Sequence, residues 1–249
     1  RVIRCGTGID VIGDHARWDE VYCQENYDGV RFGEPHAVLW GDCKFNTCFF
    51  NGNTHAGIAV HPLATLTGIF YKPYLGGQPI GIYLESEADA GLSAAGVADG
   101  VASNRLGIAA LDIIAPQNEW LGEGEIIDGA AAARRRSIKA LLIQGGMTSW
   151  QDSKRRPGAE RRAMWSVGAL VGDVRIEGRT EPGQNVPGSV ALIEAVYIGG
   201  LHFAGDMEPT FAACETAGKP VLATDGYGAY AATWEARGRG GMFPSRGHF

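Results

Sequence analysis

The chain has 249 residues, 45% of them apolar and 20% charged, with a formal net charge of −6. That length buries a substantial core in one domain, and the acidic balance argues against a general nucleic-acid binder. No uninterrupted apolar run approaches the ~18 residues of a membrane span. The first residue is Arg1, with neither Met nor a charged-then-apolar leader, which reads as a mature product or a fragment.

Apolar runs alternate with helix-like patterns along the chain, the signature of a βαβ order. Ile80–Leu84 reads as a buried strand, followed by an Ala/Gly-rich helix over Ala88–Ser103. Ile108–Ile114 is the next strand. Glu123–Ser137 carries acids at its start and three arginines at its end, a polarity that suits the helix dipole and predicts a helix. Ala140–Ile143 is a short strand running into Gly145-Gly146, residues 147–163 a polar loop, and Met164–Val171 strand-like again. Pro187–Gly200 reads as a turn and a β run; Phe211–Ala217 and Tyr227–Ala236 read as closing helices. No internal repeat is evident. The expectation is one α/β domain over residues 1–249, with a central, mostly parallel sheet flanked by helices.

Cys5, Cys23, Cys43, Cys48 and Cys214 are an odd set without a CxxC pair. Cys43 and Cys48 can bridge to others in an oxidising compartment, leaving a thiol over, and a cysteine metal cluster is disfavoured. The basic stretch from Arg134 to Arg162 reads as a helix end and a solvated loop.

Four segments, in order, carry a resemblance: Val2–Asp10 (VIRCGTGID), Asn51–Val60 (NGNTHAGIAV), Leu141–Gly146 (LLIQGG) and Ala204–Ala213 (AGDMEPTFAA). They resemble the Asp, His, oxyanion and Ser segments of the subtilisin-like serine peptidases, proteinase K branch. The resemblance implies a subtilase-like fold, a groove for an extended peptide and a secreted protein, with no nucleic-acid or membrane partner. It also implies a defective triad, because the four motif positions read Gly6, Gly52, Gly146 and Asp206. Triad hydrolysis needs a carboxylate, an imidazole, a nucleophile and oxyanion donors. The candidates that remain are His55, the motif's second histidine, Asp206 at the serine position, and Asp10 as a substitute acid. Gly145 and Gly146 would stand at the oxyanion position, and Leu111 and Tyr83 would line the groove on strands with edges open to a peptide.

The resemblance therefore implies an impaired or inactive peptidase homologue. Two further readings stay open. One is a metal-dependent amidohydrolase in which His55, His61 and His202 hold Zn²⁺. The other is an active serine endopeptidase drawing on Ser189 or Ser245. The family's structural Ca²⁺ would find ligands in Asp19, Glu20 and Asp28; no other cofactor is expected.

Overall fold

The computed structural model describes residues 1–232 apart from 13–14, 34–38, 93–105, 131–133, 159–164, 181–189, 196, 205–207, 213–214, 217–220 and 225–228. Strand pairing is parallel throughout, with one antiparallel pair at the end. The chain winds in coils, and each coil lays strands directly onto those of the coil before.

The first coil holds β1 (Val2–Ile3), β2 (Thr7–Val11) and β3 (Arg17–Asp19). The second repeats them as β4 (Tyr22–Gln24), β5 (Asp28–Phe32) and β6 (Leu39–Asn46), and the third as β7 (Phe49–Asn51), β8 (Ala56–Val60) and β9 (Ala64–Tyr71). In the fourth, a bridge at Tyr74 stands for the first strand, before β10 (Ile80–Leu84) and β11 (Leu106–Ile114). The fifth runs through β12 (Gln117–Leu121), β13 (Gly124–Asp128), β14 (Ser137–Ile138) and β15 (Leu141–Trp150). β16 (Trp165–Ser166), β17 (Ala169–Leu170) and β18 (Val174–Thr180) follow, then β19 (Val190–Glu194), β20 (Tyr197–Ile198) and β21 (His202–Ala204). The last coil has β22 (Glu208–Ala212), β23 (Glu215–Thr216) and β24 (Val221–Thr224), with β25 (Ala229–Ala232) turned back on β24.

Stacking puts like residues on like. Ile9 pairs with Val30, Val30 with Ile58, Ile58 with Ile82, Ile82 with Ile126, and Ile126 with Trp165. Val30, Ile58, Ile82, Ile126 and Trp165 are fully buried, and each such side chain stabilises the fold by about 1.5–3 kcal/mol. Phe45 stacks on Phe70 at 4.7 Å and on Trp18 at 4.7 Å. The molecule is a parallel β-solenoid with one continuous core along its axis.

Three faces run the length of the early coils: a narrow face (β1, β4, β7, Tyr74, β12), a central face (β2, β5, β8, β10, β13) and a broad face (β3, β6, β9, β11). Left-handed residues turn the corner from broad to narrow: Glu20 (φ 54), Thr47 (φ 50), Lys72 (φ 49) and Ala115 (φ 50). A non-glycine there costs about 1–2 kcal/mol. Bonds to the neighbouring coil offset this, as when Thr47 N donates to Tyr71 O at 2.8 Å and Lys72 N to Ile114 O at 2.8 Å. A second left-handed row, Arg4, Glu25, Gly52 and Gly77, turns narrow into central.

Beside that second row runs a ladder of side-chain amides. Cys5 N donates to Asn26 Oδ1 (2.9 Å), Asn26 N to Asn53 Oδ1 (3.1 Å), and Asn53 Nδ2 to Gln78 Oε1 (2.9 Å). All three amides are buried, where an unmade bond would be costly. Just past the ladder Gly29 and Gly57 face the neighbouring coil closely. A Cβ on Gly29 would lie 2.6 Å from Gly57 O, so the coils stack this closely only without one.

The expected mostly parallel sheet is present, and Ile80–Leu84 and Ile108–Ile114 are strands as predicted. The flanking helices are not: no α-helix occurs among the described residues. Within Glu123–Ser137 the expected helix gives way to a strand at Gly124–Asp128, which is clamped between β10 and β16 with Ile126 in the core. Strand pairs on both sides outweigh the dipole-like charge order that favoured a helix. Phe211–Ala217 likewise gives the end of β22 and then β23, and Ala229–Ala232 is a strand. The helix expected over Ala88–Ser103 falls mostly outside the described residues, as do Ser189 and Ser245.

The expectation of no internal repeat is also corrected. Asn26-x-x-Gly29-Val30, Asn53-x-x-x-Gly57-Ile58 and Gln78-x-x-Gly81-Ile82 are one repeat, blurred by a one-residue change in spacing. Cys5, Cys23, Cys43 and Cys48 are thiols.

Candidate active site

The outer surface of the central face carries the densest chemistry among the described residues. Asp28, Ala56 and Ile80 open the central strands, and Ala56, Ile80, Tyr83 and Ile127 form a small buried cluster separate from the main core. His55 immediately precedes β8 and Asp28 opens β5, so they sit on adjacent coils. His55 Nδ1 lies 2.8 Å from Asp28 Oδ1, and both residues are 4% exposed.

An ionised carboxylate only accepts, so Nδ1 is the donor in this bond and Nε2 points away from Asp28. The ring is held on two sides. Tyr27 stacks on it at 4.7 Å and 17°, and Tyr83 meets it edge-on at 4.5 Å and 77°. Tyr27 is itself 51% exposed and forms the open side of the site.

Asp89 gathers the next layer. Tyr83 Oη donates to its Oδ2 at 2.6 Å, Ser86 Oγ at 2.7 Å and Ser86 N at 3.0 Å. Burial pushes the Asp89 carboxyl up, but the bonds from Tyr83 and Ser86 outweigh it and leave the acid below its ordinary range. Burial, then Asp89, raises the Tyr83 phenol, which stays protonated. Burial, followed by the Asp28 charge, raises Tyr27 as well. The Arg156 guanidinium opposes both shifts and is itself fixed by a fork to Glu123, at 2.7 Å on each arm. The site thus sets an oriented imidazole against a protonated phenol, beside the Arg156–Glu123 ion pair.

Part of the basic stretch is drawn into the fold, while Arg134, Lys139 and Arg155 are exposed as expected. Arg136 is buried; its Nη1 donates to His61 O and Ala64 O, and its Nη2 to Val60 O and Glu85 O, at 3.0–3.3 Å. Its backbone N donates to Asp128 Oδ2 at 2.7 Å. Arg135 pairs with Glu194 and Arg156 with Glu123, both at short range. These arginines pin the connections to the coils.

Of the residues singled out by sequence, His55 and Tyr83 come together here. Asp10 lies one coil beyond, paired in register with Arg31, away from the imidazole. Leu111 is 1% exposed in the core, and β11 is bonded on one side to β9 and on the other to β15, so it lines no groove and offers no edge. β10, which carries Tyr83, is likewise paired on both sides. Gly145 (φ 64) and Gly146 (φ 79) form an irregularity inside β15, where the chain turns from broad to narrow face. His61 is buried near Arg136, and His202 begins β21 several coils from His55. Among the described residues no three His, Cys, Asp or Glu side chains converge as metal ligands. Asp206 lies outside the described residues.

Sequence reasoning did not connect Asp28, Tyr27 and Asp89 with His55. The signal was the repeat, since Tyr27-Asp28-Gly29 and His55-Ala56-Gly57 occupy matching places in successive coils. Fold and site together define a parallel β-solenoid bearing a His–Asp dyad on its flank. Compared with family models, curated proteins and solved structures, the chain matches none.

Proposed function

We propose that the central face is an acid–base site that cleaves an extended polysaccharide, with His55 as the base, oriented by Asp28. The observation that carries this reading is the 2.8 Å Asp28–His55 pair held between Tyr27 and Tyr83. Asp28 orients the ring while Nε2 takes a proton from water, the water oxygen bonds to the anomeric carbon, and the glycosidic oxygen leaves with a proton from the Tyr83 phenol. The Tyr83 phenol, with Asp89 behind it, is the nearest acid.

The choice of polymer follows from how the strands are used. Extended peptides are commonly held by adding a strand to an open sheet edge. The central-face strands β5, β8, β10 and β13 are paired on both sides, so recognition on this flank falls to side chains. A half-exposed tyrosine ring beside charged groups suits sugar rings, which offer one apolar face and many hydroxyls.

A peptide substrate, as the subtilisin-like resemblance implies, is the second reading. It rests on the same dyad, with the Ser86 hydroxyl near the site turned to Asp89.

The test is a panel of neutral and acidic polysaccharides beside a quenched peptide pool, with wild type, His55→Gln and Asp28→Asn. Polysaccharide cleavage falling about 10²–10⁴-fold in His55→Gln is the expected result. Cleavage of peptides alone would replace the reading, and cleavage unaffected by His55→Gln would remove the dyad from it.

A further inference from the structure

A cavity of about 390 Å³ opens at the corner between the broad and narrow faces, away from His55. It is lined by Thr47, Phe49, Lys72, Tyr74, Gln117 and Met147, among others, and its size is within the range of small-molecule clefts. Its position is set by an aromatic ladder that stops. On the narrow face Tyr22 stacks on Phe49 at 4.6 Å and 3°, and Phe49 on Tyr74 at 5.9 Å and 29°. The next coil pairs Gln117 with Tyr74, and the one after pairs Met147 with Gln117. The stack of rings ends where the cavity begins.

Lys72 is the charged side chain that lines the cavity among the described residues, and the Glu119 carboxylate acts on the Tyr74 phenol from nearby. Lys72 is exposed, lies at the left-handed corner, and holds its Nζ 5.4 Å from the centre of the Tyr71 ring. Among the described residues no carboxylate lines the cavity itself. Gln117 adds an amide, and Thr47 a hydroxyl within reach of Asn46.

We infer that this corner is a second carbohydrate site, which seats a uronic-acid residue against Tyr74 with its carboxylate at Lys72. A sugar ring lays its apolar C–H face on the aromatic, continuing the ladder, while Gln117 and Thr47 meet hydroxyls at the edge. The ammonium selects the acidic sugar over its neutral counterpart. The inference rests on the polysaccharide reading for the kind of ligand, and it narrows that kind to acidic chains. It needs no catalysis, because the narrow face separates this corner from the dyad.

The probes are oligosaccharides of a uronic acid and their methyl esters, which keep the ring and remove the charge. Binding is measured by calorimetry on the His55→Gln protein, so that turnover does not interfere. Expected are saturable binding of the acid, at least tenfold weaker binding of the ester, a tenfold or greater loss in Lys72→Met, and a comparable loss in Tyr74→Ala. Lys72→Met keeps the stem on an exposed side chain and leaves the fold intact, which a circular dichroism melt checks. Equal binding of acid and ester, unchanged binding in Lys72→Met, or no binding of either probe overturns the inference. The outcome separates from that of the dyad: uronate binding without any cleavage leaves this site standing while the acid–base reading falls, and cleavage without binding here does the reverse.

Discussion

The second to fourth coils and the fifth and sixth solve one problem by different means. Each must satisfy polar groups inside a narrow core at the corner leading into the central face. The early coils do so by repetition, with Asn26, Asn53 and Gln78 each bonded to the next. The later coils use a single device. Glu125, wholly buried, accepts from Asn118 Nδ2 at 2.7 Å, Thr148 Oγ1 at 3.2 Å and Trp165 Nε1 at 3.2 Å. The ladder ends at Gln78, beyond which Gly122 bonds back to it with no amide of its own. A repeated solution spreads its stability over several coils, whereas a single network concentrates it on one carboxyl.

That contrast can be broken experimentally, most severely at its concentrated end. Glu125→Ala strands the indole N–H, the Asn118 amide and the Thr148 hydroxyl in the core. A loss of about 3–6 kcal/mol is expected in urea unfolding, from ~1–3 kcal/mol per unpaired buried group. A loss under 1 kcal/mol would mean water fills the gap and the network is dispensable. Asn53→Ala removes one rung, leaving Asn26 N and Gln78 Oε1 without that partner. About 2–3 kcal/mol is expected from the same measurement, with unfolding localised by hydrogen exchange to the early coils. A loss equal to that of Glu125→Ala would erase the distinction.

The smallest effect is a slope. Burial raises the Glu125 carboxyl above its ordinary range despite three hydrogen bonds, and burial raises Asp128 in the same direction. The folded chain therefore holds protons that the unfolded chain has already released. Their contribution to stability is complete below the unfolded carboxyl range and is lost as pH rises through the folded values. Glu125→Gln removes one of these ionisations and should flatten the decline in melting temperature on going from acid to neutral pH. An unchanged slope would assign it to other groups.

The same contrast explains what could be read from the sequence. The buried strands Ile80–Leu84 and Ile108–Ile114 were legible because a doubly flanked strand is an apolar run wherever it occurs. The winding was not, because strands joined by alternating connections read alike whether they lie side by side in a layer or stack as coils. Val2–Asp10 and Asn51–Val60, two of the segments that resemble peptidase motifs, hold the same place in the first and third coils. Thr7-Gly8-Ile9 and Ala56-Gly57-Ile58 make the same close approach to the neighbouring coil. His55 could be picked out as reactive, but its partner Asp28 could not, since the two meet only through coil stacking. Glu123–Ser137 misled because its arginines answer Asp128, Glu194 and backbone carbonyls rather than a helix end.

Two corners of each early coil are turned by single left-handed residues, while the third, from central to broad face, spans only Pro62 and its neighbours in one coil and the whole of Glu85 to Arg105 in the next. Length is thus metered at two hinges and free at one. Segments can be gained or lost at the free corner without changing the phase of any strand. The solenoid behaves as a bound volume whose pages differ in width only at the fore-edge, and new loops grafted there should leave the spine, with its amide ladder and aromatic stack, in register.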